Sequence, residues 1–143
     1  MKEIEIIVPT SEVMLEAQRE LSYLGAKSAD PTAFSRVELT DYDDMWVKNC
    51  MTKALGLITP ALGEYLKECN TTDKEHKLKV GLPDNAHPSS ATLGEQIKDF
   101  YVKLVLAEWI LIADPQRLEA YVQQPTAQLQ TIVNLINMRK KPV

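Results

Sequence analysis

The stretch Phe100-Tyr101-Val102-Lys103-Leu104-Val105-Leu106-Ala107-Glu108-Trp109-Ile110-Leu111-Ile112-Ala113 is the most apolar run of the chain, and its reading decides the fold. It is shorter than the roughly 20 apolar residues that a bilayer crossing needs, and Lys103 and Glu108 interrupt it, so it reads as a helix inside a protein core. Ser90 caps its start. Leu93, Ile97, Phe100, Tyr101, Leu104, Val105, Leu111 and Ile112 wrap nearly the whole circumference, which predicts a central core helix over 91–113.

The flanking segments read as cover for that helix. Upstream, Thr40-Asp41-Tyr42-Asp43-Asp44 opens a second helix, with Thr40 as N-cap and acids in the first turn, where the unpaired N–H groups favour negative charge. Val47, Met51, Ala54, Ile58, Leu62, Tyr65 and Leu66 recur at spacings of three and four and extend its apolar face to near Asn70. Pro60 lies inside with Gly56 and Gly63 on either side, which predicts a kink or a local break between 56 and 63. Nearer the N-terminus, Pro9-Thr10-Ser11-Glu12 opens a helix over about 11 to 24, with the stripe Val13, Ala17, Leu21 and Leu24 and an exit at Gly25. A connector follows, in which the alternation from Phe34 to Leu39 favours an extended segment. Downstream, Asp114-Pro115 restarts a helix that repeats Leu118, Tyr121, Val122, Leu129, Ile132, Val133 and Ile136, and Pro125 predicts a bend or gap near Gln123 and Gln124.

Two segments alternate with the period of a strand: Ile4, Ile6 and Val8 within 3–8, and Leu78, Val80 and Leu82 within 76–82. They can pair with each other or with a neighbouring subunit. The fold expected is mainly α, a single domain over 1–143 built as a bundle of about four helices with a small β element from the N-terminal and 76–82 segments.

Composition narrows the function. Among 143 residues, 45% are hydrophobic and 25% charged, the mix of an ordinary globular domain, and 20 acids against 16 bases give a net charge of -4, which repels nucleic acid. Cys50 and Cys69, placed on one helix, would stand about 28 Å apart by the rise per residue, so reduced thiols are expected. The glycines at 25, 56, 63, 81 and 94 form no phosphate loop, and the acids Asp41, Asp43 and Asp44 lack the spacing of a calcium loop. His76 and His87, in a turn-rich stretch with no ligand pattern around them, read as surface residues. No catalytic residue, metal or cofactor is expected and the chain does not read as an enzyme; an enzyme would have to gather carboxylates such as Glu64, Asp99 and Glu108. Trp109 reads as core. Trp46 divides between core and contact surface. Arg139-Lys140-Lys141 suits the C-terminal end of a helix dipole, or a small cationic tail docking on an acidic neighbour or on passing DNA.

The order of these elements resembles a known family. The strand Ile4-Glu5-Ile6-Ile7-Val8, the run Tyr23-Leu24-Gly25-Ala26-Lys27, the helix from Thr40-Asp41 into Trp46-Val47-Lys48-Asn49-Cys50, the strand Leu78 to Leu82, the helix Phe100-Tyr101-Val102-Lys103 to Glu108-Trp109, and the closing Met138-Arg139-Lys140-Lys141-Pro142 resemble small head-tail connector (neck or adaptor) virion proteins of gut-bacterial tailed phages and prophages. That resemblance implies a homo-oligomeric ring beneath the portal, with the portal protein and tail or other neck proteins as partners, DNA passing non-specifically nearby, and no membrane. It implies a place in the virion neck, reached from the cytoplasm of the bacterial host. Ile4, Ile6, Val8, Trp46, Leu78, Val80, Leu82, Arg139, Lys140 and Lys141 are the expected subunit or partner contacts, through the N-terminal strand, the 71–90 loop and the tail. The alternative is a small helical interaction module or regulator encoded by a phage or prophage.

Overall fold

The computed structural model describes residues 2–27, 39–40 and 43–139. Strand β1 (Lys2–Pro9) leads into helix α1 (Thr10–Lys27), and helix α2 (Asp44–Leu62) is followed by a short 3₁₀ turn, Gly63–Tyr65. Strands β2 (Leu66–Thr71) and β3 (Glu75–Leu82) then form a hairpin, and helix α3 (Ser90–Ala113) crosses the molecule. A 3₁₀ turn at Pro115–Arg117, the single-turn helix α4 (Leu118–Tyr121) and helix α5 (Gln124–Ile136) complete the order. The protein is mainly helical with a small three-stranded antiparallel sheet, ordered β1-β3-β2.

Helix α3 holds the centre. Leu93, Ile97, Phe100, Tyr101, Val105 and Ile110 are buried at 1% exposure or less, and the core they anchor is one cluster reaching from β1 to α5. The cap is Ser89 rather than Ser90, its Oγ accepting the Thr92 N–H at 3.1 Å. Helix α5 lies along α3, and one buried polar linkage joins them: the Gln128 amide donates to the Gln96 backbone carbonyl and side chain, and Lys103 donates to Gln128 Oε1. Sheet and helices meet through Ile4, Ile6, Val8, Leu78, Val80 and Leu82, which alternate with outward-facing neighbours as the period of two requires.

Three boundaries differ from expectation. Helix α2 stops at Leu62, and the segment 66–71 is a strand, so Cys69 lies on β2 and not on a helix with Cys50. Gly63 is the reason: its φ of 56° turns the chain in the left-handed region, and its N–H bonds the Thr59 carbonyl, closing the helix three residues after Pro60. Pro60 removes a backbone donor in the last turn of a helix whose Ile58 and Leu62 are fully buried, and the helix runs through it. Helix α2 starts at Asp44, so Asp43 and not Thr40 precedes it in the cap position; the Asp43 side chain caps no helix N–H, and its carboxylate instead accepts from the Thr40 N–H at 2.9 Å and hydroxyl at 3.0 Å. Helix α1 continues past Gly25 to Lys27, and Thr10 ties its start to the hairpin turn by donating to the Lys74 and Asp73 carbonyls. Pro125 falls in the first turn of α5 after a gap at Val122 and Gln123, where a proline is tolerated. The extended segment expected over 34–39 lies outside the described residues except for buried Leu39, and Asp41 lies outside them as well.

Two glycines of α2 and its exit give opposite predictions. Gly56 is helical and exposed with open space around a would-be Cβ, so Gly56→Ala is expected to raise stability by about 0.5–1 kcal/mol. Gly63→Ala has the same open space but a left-handed φ, so it is expected to lower stability by about 1 kcal/mol. Urea denaturation of the two variants checks both signs.

Candidate functional site

The two tryptophans meet. Trp46 of α2 and Trp109 of α3 pack edge to face with ring centroids 5.1 Å apart at 70°, both half-buried against the core. About two turns along α2 from Trp46, Lys53 pairs with Glu108, the neighbour of Trp109 on α3. Trp46 therefore serves first to join α2 to α3. Beneath it the Cys50 thiol is pushed up to about 12, chiefly by burial and then by the nearby Glu108 charge, which leaves it protonated and inert.

The strand residues expected at a subunit contact are inside the protein. Ile4, Ile6, Val8, Leu78, Val80 and Leu82 are each 2% exposed or less, their side chains packed into this chain's own core. β3 is the central strand with β1 and β2 on its two sides, so it has no edge left for a neighbour, and it takes up the middle of the 71–90 segment expected to be a loop. What remains available is backbone at the sheet's two outer strands. In an antiparallel pair, residues alternate between those bonded to the partner strand and those whose N–H and C=O point away. Thr10 donates to the carbonyl of Lys74, its partner in the β1–β3 register, so the even-numbered residues of β1 bond β3 while Glu3, Glu5 and Ile7 aim their backbone groups outward. The same rule with Thr72 N–H on the Glu75 carbonyl places Asn70 and Glu68 against β3, and Cys69 and Thr71 outward.

The outer face of the sheet is charged in rows. Glu68, Lys79 and Glu5 lie directly across from one another on β2, β3 and β1, and Lys79 Nζ sits 3.3 Å from the Glu68 carboxylate. The Glu68 hydrogen bond, with Glu68, Glu3 and Glu5 as surrounding charges, holds the Lys79 ammonium above its ordinary value. Three carboxylates thus share one lysine, while Lys77 turns to Glu75 at 3.7 Å.

Arg139 is not a dangling cation. Its guanidinium donates to the carbonyls of Ile136 and Met138 at 2.8 and 3.0 Å and to the Tyr65 hydroxyl at 3.4 Å, while its backbone bridges Ala86. It closes the end of α5 against the turn before α3, because unbonded carbonyls at a helix C-terminus attract donors. Lys140 and Lys141 lie outside the described residues.

His76 was legible only as a surface histidine, and the structure buries it at 5% exposure. Its Nδ1 lies 2.9 Å from the Tyr101 hydroxyl, ring edge to ring face, at the floor of a polar cleft shared with Thr10, Lys48, Asn49, Thr71 and Asp73. The signal was its place in the strand: position 76 shares the inward face with Leu78, Val80 and Leu82. Burial lowers the His76 pKa and raises that of Tyr101, so both stay neutral near pH 7.

A second surface is apolar. A groove of about 250 Å³ runs between α2, α3, α4 and α5, with Leu57, Leu111 and Val122 at its rim and Leu104, Leu118 and Leu129 within. Leu57, Leu111 and Val122 are 43%, 51% and 47% exposed, and Ile112 beside them is 65% exposed. Glu64, Asp99 and Glu108 share no described cleft. Among the described residues no three His, Cys, Asp or Glu side chains are grouped to hold a metal, and no helix is long and apolar enough to cross a membrane.

No family model, curated protein or solved structure matches the chain.

Because folding lowers the His76 pKa below its ordinary 6.5, the unfolded chain binds the proton more readily, and stability falls as pH drops through about 6.5. Denaturation midpoints between pH 8 and pH 5 are expected to fall more steeply for the native chain than for His76→Gln, which keeps a polar partner for Tyr101 without titrating. Equal slopes would show that His76 is protonated as easily folded as unfolded.

Proposed function

We propose that the chain is a structural subunit of a homo-oligomeric ring in a tailed-phage neck, joining the portal and head to the tail and lining the DNA passage. The observation that carries this reading is the apolar groove exposed on one small protein, with Leu57, Leu111 and Val122 at its rim. A ring closes by heterologous contacts, in which one surface meets a different surface of the next member, and the groove is the surface that would receive an unlike face of its neighbour. Apolar side chains exposed this close together are favoured where another protein covers them.

The rest is consistent with assembly rather than catalysis. The resemblance of the sequence to neck proteins supports this reading. The net charge of -4 suits a passage that DNA must cross without adhering. In this reading the helical layer forms the body of the subunit, with the groove between α3 and α5 turned to a neighbour.

Light scattering of the purified chain at several concentrations tests the proposal. A mass corresponding to a closed multiple of the chain is expected, and Leu111→Lys with Val122→Lys is expected to reduce it to a single chain while leaving helical circular dichroism unchanged. A single-chain mass at every concentration, both alone and with a portal ring added, would remove the connector reading and leave the small interaction module in its place.

A further inference from the structure

We infer that the outer edge of β1 is a docking site for an extended segment of a partner protein that carries Lys or Arg at alternate positions and joins the sheet as its fourth strand. The edge has the backbone for it. Glu3, Glu5 and Ile7 turn N–H and C=O away from β3, and Pro9, next in that outward row, has no N–H and ends it. The only main-chain partners of β1 among the described residues are β3 and the hairpin turn. A row of main-chain groups of this kind accepts an added strand, with main-chain bonds giving affinity and alternate side chains giving selectivity.

The charge pattern fixes what the added strand must carry. Across the sheet the register reads Glu68, Lys79, Glu5: acid, base, acid. Opposite charges on directly facing residues stabilise a sheet and like charges destabilise it, so the residue facing Glu5 on a fourth strand must be basic. Glu3 lies two residues away on the same face, facing Gly81 across β3, so it has no base directly beside it. Ile7, 47% exposed on that face, calls for an apolar neighbour. An antiparallel strand read from its N-terminus would therefore present an apolar residue, then a basic one, then another basic one, each two positions apart.

A second copy of this chain fits poorly. Its β1 would bring Glu3 and Glu5, and its β2 would set Cys69 and Thr71, whose backbone turns outward, against this row, while Lys67, at the bulge of β2, turns its ammonium to the Glu64 carbonyl. Neither edge supplies a base opposite Glu5. The inference stands apart from the ring reading, because a single chain and a ring member present the same strand.

The test uses the full chain and a synthetic peptide, Thr-Val-Thr-Lys-Thr-Lys-Thr, with Thr-Val-Thr-Glu-Thr-Glu-Thr as its counterpart, followed by amide chemical shifts at low salt. The lysine peptide is expected to shift the Glu3, Glu5 and Ile7 amides and the glutamate peptide to leave them unmoved. Replacing both carboxylates, Glu3→Gln with Glu5→Gln, is expected to weaken binding about tenfold by removing two facing charge pairs. Ile7→Pro removes one outward N–H without touching the ladder to β3 and keeps both carboxylates, so it is expected to abolish binding while the thermal transition persists. Unmoved edge amides, equal binding of both peptides, or unchanged binding by Ile7→Pro would overturn the inference. So would edge shifts that grow with protein concentration in the absence of peptide, which would show that another copy takes the place.

Discussion

The structure depends on one burial: the α3 segment from Leu93 to Ile110, which is apolar around most of its circumference and needs cover on every side. A helix with a single apolar stripe is satisfied by one neighbour, but this one requires a shell. The sheet covers part of it, α1 and α2 another part, and α5 the rest, so the remaining elements are arranged by what they hide. Each fully buried Leu, Ile or Phe on α3 contributes on the order of 1.5–3 kcal/mol relative to exposure, and polar groups set against the helix are bonded, Gln128 with Gln96 and Lys103, and His76 with Tyr101.

The sheet follows from the same demand. Its inner face must be apolar, so Ile4, Ile6, Val8, Leu78, Val80 and Leu82 point to α3 and its neighbours, and every second residue is left to face water. With three strands and no closure, two edges remain. β1 therefore combines a greasy inner face with a charged outer one while β2 is exposed along most of its length, and the carboxylates that keep the outer face soluble also define what can pair with it. The apolar groove is the other remainder of the covering problem, since α4 is a single turn and leaves Leu57, Leu111 and Val122 at the open side of α3.

Much of this was legible in the sequence, and the misses have physical causes. The long helix α3, the stripe of α2 and the alternation in β1 and β3 all announce themselves, because burial imposes a period that residues must follow. β2 did not: Leu66 prolongs the helical stripe of Ile58 and Leu62 by spacing, and only the left-handed turn at Gly63 and the pairing with β3 divert it into a strand. His76 and the strand contacts were misplaced for a related reason. Which face of a strand is buried is decided by what packs on it, so a histidine in phase with Leu78 goes inside, and strand residues expected at a neighbour go into the chain's own core. Arg139 read as a free basic tail because a helix end that needs donors is not visible until the end is placed. Trp46 and Trp109, far apart in sequence, gave no sign that they would touch.

The central structural claim is a sheet with β3 inside and the outward row of β1 unpaired among the described residues, and amide hydrogen exchange of the isolated protein tests it residue by residue. The account predicts alternation along β1: slow exchange at Ile4, Ile6 and Val8, whose N–H groups bond β3, and fast exchange at Glu3, Glu5 and Ile7. Slow exchange along all of β1 in a dilute single chain would contradict it, because the edge would then already be bonded from within.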